Sequence, residues 1–157
     1  MTPLPKRSFS ASLLLAVLAP VPALALAAAL LAPQPAFADT PARLTVTITD
    51  IKDVKGKMMI AVSNEAGYDA GDAVAAAASA VTGNTLTATF DVPPGKYGIK
   101  LFHDIDSDGK MNTNPFGMPT EPYAFSNNAK GQFGPAKWGA ASFDVPAGGA
   151  AQTISLK

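Results

Sequence analysis

From Leu44 to Thr49 apolar and polar residues alternate without a break, with Leu44, Val46 and Ile48 on one side and Thr45, Thr47 and Thr49 on the other. A period of two is the mark of a half-buried strand, because successive side chains leave opposite faces of the backbone. The pattern recurs along the chain. Met58, Ile60 and Val62 follow the Lys55-Gly56 turn, and Leu86, Ala88, Phe90 and Val92 alternate with Thr87, Thr89 and Asp91. After Pro93-Pro94-Gly95, which combines a fixed φ with a permissive glycine, Tyr97, Ile99, Leu101 and His103 share one side of a further strand. Ala141, Phe143 and Val145 alternate with Ser142 and Asp144, and Ala147-Gly148-Gly149 is expected to turn the chain toward Ile154 and Leu156 as a closing hairpin. Residues 72–81 carry two signals: their alanines favour helix, whereas Thr82-Gly83-Asn84-Thr85 reads as a hairpin turn, and strand is preferred. Short strands with regular turns and no long amphipathic helix predict an all-β antiparallel sandwich of about seven strands.

The N-terminus has a different character. Lys6 and Arg7 precede an Ala/Leu-rich stretch from Ala11 to Leu31, and Ala36-Phe37-Ala38 supplies an A-x-A cleavage signal before Asp39. Residues 1–38 therefore read as a signal peptide and 39–157 as one domain. Pro20, Pro22, Pro33 and Pro35 interrupt the stretch, so no run reaches the roughly 20 apolar residues of a membrane span. The expected location is periplasmic or secreted. Removing Lys6 and Arg7 leaves ten basic residues against twelve acidic ones, 10 − 12 = −2, which points away from nucleic acid and from an anionic membrane surface. The chain has no Cys, which removes disulfides, thiolate metal sites and Cys nucleophiles together.

The segment from His103 to Ala140, a long loop over residues 104–140, has no strand pattern and is rich in Asn, Gly, Pro and aromatics. Loops of that length are functional or disordered. Phe116, Tyr123, Phe125, Phe133 and Trp138 give this one buriable surface, which disordered segments lack, so an ordered lobe is expected at one end of the sandwich.

That lobe begins with Asp104-Ile105-Asp106-Ser107-Asp108-Gly109-Lys110-Met111-Asn112. Ca²⁺ takes six to eight oxygens, and a loop that supplies them from its first, third and fifth positions needs a glycine turn at the sixth. Asp104, Asp106, Asp108 and Gly109 occupy those places, Lys110 would offer its carbonyl, and Asn112 an amide oxygen or a water contact. The twelfth position calls for a bidentate Glu and holds Pro115, so the missing oxygen must come from Asn114 or Glu121. Without the built-in carboxylate, affinity falls to about 10⁻⁴–10⁻³ M, the scale of extracellular modules. The alternative is a solvated turn, since Asp, Ser, Asn and Gly favour turns by themselves.

Enzymatic chemistry finds less support. His103 is the sole histidine, it follows Ile99 and Leu101 on a strand face, and neither a G-x-S-x-G elbow nor an H-E-x-x-H helix is present. A hydrolase would have to combine His103 with loop carboxylates such as Asp104 and Glu121. A carbohydrate- or peptide-binding module is the better rival: Tyr123, Phe125 and Trp138 as flat platforms, Asn127 and Asn128 as hydrogen-bonding groups, and a cell-envelope protein or glycan as partner. The same rings would serve equally as the lobe's own core, each burying roughly 1.5–3 kcal/mol. Exposure separates the two uses.

The chain from about Leu44 to Leu156 resembles a bacterial exported family known as domain of unknown function 2141. The resemblance rests on Val92-Pro93-Pro94-Gly95-Lys96-Tyr97, on His103-Asp104 with Asp106, Asp108 and Gly109, and on the run from Asn114-Pro115-Phe116-Gly117-Met118-Pro119 through Asn127-Asn128. It implies an exported, prealbumin-like or immunoglobulin-like sandwich with the loop as its distinctive region. Ala124 stands where the family often has glycine, and Asp106 where Asn is common, a change that adds negative charge for a divalent cation.

Overall fold

The computed structural model describes residues 40–156, so the expected signal peptide and its cleavage point lie outside the described residues. Among the described residues eight strands form two sheets. One has the order β4-β1-β8, from β1 (Ala42–Thr49), β4 (Leu86–Val92) and β8 (Ala150–Ser155). The other has the order β3-β2-β5-β6, from β2 (Lys57–Ser63), β3 (Ala75–Ala80), β5 (Gly95–Asp104) and β6 (Tyr123–Phe125), with β7 (Phe143–Val145) also on β5. The all-β expectation holds. Leu44, Val46 and Ile48 are fully buried, as the alternation requires, and face a core that includes Met58, Ile60, Val62, Ile99, Leu101 and Ile154.

Several local expectations are overturned. The closing hairpin does not form: β7 pairs antiparallel with β5, while β8 crosses to the other sheet and runs parallel to β1. The sandwich is therefore mixed rather than wholly antiparallel. A Gly-rich turn reverses the chain, but which free strand edge receives it depends on the rest of the fold, and β1 offered one. Thr82-Gly83-Asn84-Thr85 likewise joins strands of different sheets. Asn84 explains this, since it exchanges hydrogen bonds with Ile51, its backbone carbonyl accepting and its side chain donating, and so fastens the turn to the β1–β2 link.

Residues 75–80 are strand despite their alanines, because pairing with β2 from Lys57 to Val62 outweighs helix propensity. A short helix, α1 (Glu65–Ala70), lies just before them. Asn64 caps it by accepting from the Gly67 amide at 2.9 Å, and Gly71 closes it in the left-handed region. The long loop also contains structure that the pattern hid: β6, a 3-10 turn at Ser126–Asn128 and helix α2 (Trp138–Ala141). Tyr68, Phe125, Ala136 and Ala141, with Trp138 against them, make a second small core. Tyr68 packs closely enough on β5 that a Cβ at Gly98 would stand 2.7 Å from its ring. Among the described residues no helix is long and apolar enough to cross a membrane.

Candidate metal centre

β5 delivers Asp104 to its last position, where the side chain is fully buried, and the chain then leaves the sheet. Ser107 and Gly109 take positive φ, 64° and 81°, and these two left-handed residues curl the segment back over Asp104. The result brings one oxygen from each of Asp104, Asp106 and Asp108 within 4.8 Å of one another. Asp104 is buried, the other two exposed.

Backbone amides hold this geometry. Asp104 accepts from the Asp108 amide at 3.1 Å and the Gly109 amide at 2.9 Å, one at each oxygen. Asp106 accepts from the Asp108 amide at 3.2 Å and from the Asn112 side-chain amide at 2.7 Å, and Asp108 accepts from the Lys110 amide at 2.7 Å. The Asn112 bond first, then the Asp108 amide, holds the Asp106 carboxyl below its ordinary value of 3.8, because both favour the ionised form. The ion pairs found among the described residues, Arg43–Asp91 and Lys96–Asp144, lie elsewhere. Three carboxylates thus converge with backbone amides, and among the described residues no cationic side chain is in ion-pair contact with them.

Glu121 is 6 % exposed and joins the two ends of the loop. One oxygen accepts from the Ile105 amide at 2.8 Å and the other from the Asn112 amide at 3.0 Å. Each oxygen keeps a second lone pair, so the residue serves as a clamp and retains acceptor capacity. Asn114, the other candidate for the missing oxygen, is spent differently: its side-chain oxygen accepts from the Phe116 and Met118 amides and shapes a second turn. That turn is closed by Thr120 N–H to the Asn112 carbonyl and Asn114 N–H to the Met118 carbonyl, so the acidic loop and the turn bearing Phe116 and Met118 are joined at Asn112.

The remaining sequence candidates separate. His103 is 1 % exposed, with its Nε2 2.7 Å from the Lys55 carbonyl, a pairing that makes Nε2 the protonated nitrogen. It lines a cleft of about 250 Å³ together with Asp50, Lys52, Asp53 and Glu121. Phe125 is buried, 6 % exposed, and cannot present a flat face to a ligand in solution; Trp138 sets its ring 5.5 Å from Tyr68, edge to face. Asn127 donates to the Ala140 and Ser142 carbonyls, and Asn128 donates to Thr153 and accepts from the Ser155 amide, so both fasten the lobe to neighbouring backbone. Of the proposed platform Tyr123 is 39 % exposed and Trp138 is partly buried. Phe116 and Phe133, expected as core, are 90 % and 114 % exposed. Each is followed by glycine, Phe116-Gly117 and Phe133-Gly134, and a ring at a turn tip was the available signal.

The model of the family described as an uncharacterized protein conserved in bacteria (DUF2141) matches residues 46–154, which covers both sheets, the acidic loop and the lobe. No curated protein and no solved structure matches the chain.

Proposed function

The chain belongs to this family of uncharacterized bacterial proteins (DUF2141), and on that premise we propose that it is an exported, non-enzymatic β-sandwich whose acidic loop takes Ca²⁺ and thereby orders an interaction lobe at the cell envelope. The convergence of Asp104, Asp106 and Asp108 on a point within 4.8 Å carries the reading. Hard oxygen donors at that spacing, two of them open to solvent, match what Ca²⁺ accepts, and the Lys110 carbonyl, Asn112 and Glu121 are the neighbours from which further oxygens would come. Because Asn112 belongs to both turns, an ion held by the first fixes the second and with it Phe116 and Met118. A non-catalytic role is supported by the engagement of the sole histidine with a backbone carbonyl and of Glu121 with two backbone amides.

The test is thermal unfolding of the protein recovered after export, in chelator and then in about 10 mM Ca²⁺, with Mg²⁺ as control. At a Kd near 0.1 mM, linkage raises stability by about 2.7 kcal/mol. The expected result is a rise of several degrees with Ca²⁺ and a smaller one with Mg²⁺, which gives up its water reluctantly. Identical melting in chelator and in Ca²⁺ makes the loop a solvated turn. N-terminal sequencing of the same sample tests export, with Asp39 expected first.

A further inference from the structure

The outer face of the larger sheet is built for contact with something apolar. Cross-strand registers set Ala76, Ala61, Lys100 and Phe125 in one row across β3, β2, β5 and β6, and Ala78, Met59, Phe102 and Tyr123 in the next. Ile60, Val62, Ile99 and Leu101 on the same strands point the opposite way, into the core, as the pleat demands. A sheet face turned to water ordinarily alternates to polar residues. This one offers alanines, a methionine and the rings of Phe102 and Tyr123 around one lysine, while Phe125 at the end of its row is buried in the second core.

Two loop tips overhang that floor without sealing it. Phe116 and Met118 come from the turn after the acidic loop and Phe133 from the segment before α2, and with the sheet they line a groove of about 1100 Å³. Small-molecule sites run to roughly 300–1,000 Å³ and are mostly apolar with a few placed polar groups, so this groove lies just above that range. Met118 is 61 % exposed, and the two phenylalanines more so. Large apolar side chains standing in water beside an apolar floor mark a surface that another molecule covers.

Charge decides which molecule. Lys100 is the sole charged residue among those lining the groove. Its ammonium donates to the Tyr68 carbonyl and sits 4.2 Å from the centre of the Tyr68 ring, which fixes it where α1 covers Gly98 and closes one end of the floor. Neither ion pair found among the described residues uses it, so its charge is uncompensated by a carboxylate. The floor spans four strands, three intervals of roughly 4.8 Å or about 14 Å in all. One cation with no carboxylate partner, on the third of the four strands and bordered by α1, fits a ligand with one negative charge and a flexible apolar body that folds over the floor. An anionic bilayer fits poorly, because residues 39–157 carry a net charge of 10 − 12 = −2 and would be repelled.

We infer that this groove binds a single long-chain fatty acid, its carboxylate at Lys100 and its acyl chain over Met59 and Phe102, beneath Phe116 and Phe133. The loop carboxylates do not touch this ligand, and because Phe116 and Met118 border the groove the test is run with and without Ca²⁺, which keeps its failure distinguishable from failure of the Ca²⁺ reading. The test uses the full exported chain and a fluorescent polyene fatty acid, cis-parinaric acid, displaced by palmitate or by hexadecanol, in chelator and again in Ca²⁺. Palmitate is expected to displace the probe at one site per chain and at least about tenfold better than the neutral alcohol, a difference of about 1.4 kcal/mol. Lys100→Gln keeps the side-chain length and a donor, and is expected to erase the preference for the carboxylate while hexadecanol binds as before. Ala78→Trp, at an exposed position, fills the floor and is expected to abolish both. Equal displacement by acid and alcohol in the wild type overturns the assignment. So does uptake confined to phosphatidylglycerol vesicles, or a groove that proves buried in a dimer by sedimentation. Failure in both chelator and Ca²⁺ removes the fatty-acid site and leaves the metal reading to its own thermal test.

Discussion

Two acidic residues of the lobe do different work, and substitution distinguishes them. Glu121 is buried and satisfies one backbone amide with each oxygen, so Glu121→Gln turns an NH₂ group toward either the Ile105 or the Asn112 amide and leaves that donor unpaired. An orphaned buried donor costs about 1–3 kcal/mol, and this loss is expected in chelator, with no cation present. Asp108 is exposed and uses one oxygen to accept from the Lys110 amide, a bond that Asn preserves. Asp108→Asn should therefore leave stability in chelator within about 0.5 kcal/mol of the parent. Its effect belongs to Ca²⁺ affinity, which is expected to fall at least about tenfold, or 1.4 kcal/mol. Ser107→Gly is the control, because Ser107 already sits at φ 64° and glycine accepts that geometry. Chemical denaturation in chelator and Ca²⁺ titration give the two axes, and a loss of affinity with Ser107→Gly equal to that with Asp108→Asn refutes the coordination scheme.

At the scale of elements, the join between sandwich and lobe rests on a glycine. Tyr68, at the buried face of α1, lies against Gly98 of β5 and meets Trp138 of α2 edge to face. A methyl group at residue 98 would come within 2.7 Å of the Tyr68 ring and 3.2 Å of Trp138, so Gly98→Ala must push both rings outward. Overpacking of this kind costs about 1–3 kcal/mol, and the expected signature is a lower melting temperature together with altered Trp138 fluorescence. An unchanged emission spectrum would place the strain elsewhere. The glycine also shows what a sequence conceals. The alternation of β1, β2, β4 and β5 was legible because one face of each strand is buried and period two reports this directly. The three carboxylates were legible because their spacing is local. The crossing of β8 to β1 was not, since turn chemistry specifies a reversal and says nothing about which edge is free. The helix α1 had its punctuation in plain view, Asn64 before it and Gly71 after it, but a six-residue element leaves too little periodicity to read. Glu121 as a clamp required knowing that residues sixteen positions apart, Ile105 and Glu121, meet.

For the molecule as a whole, Tyr68 links stability to alkaline pH. Its ring is fully buried and its hydroxyl has no hydrogen-bond partner among the described residues. Burial, with the nearby Asp69 charge adding to it, pushes the phenol from 10.0 up to about 12, because both disfavour the anion. In the unfolded chain the same phenol ionises near its ordinary value. Below pH 10 both states hold the proton and the group contributes its full share of stability. Between pH 10 and about 12 the unfolded chain releases the proton while the folded one retains it, so the balance moves toward unfolding as pH rises. Other groups titrate in the same interval, and the comparison that isolates this one is Tyr68→Phe. Phenylalanine keeps the ring on Gly98 and against Trp138 and removes a buried hydroxyl that makes no bond, so at neutral pH the variant is expected to be as stable as the parent or more so. Above pH 10 the parent should lose stability relative to the variant, and the gap should widen until about pH 12. Denaturant unfolding at a series of alkaline pH values measures that difference directly. Parallel curves for the two proteins would mean that the Tyr68 hydroxyl is hydrated in solution, and that α1 separates from the sheet before the sandwich itself gives way.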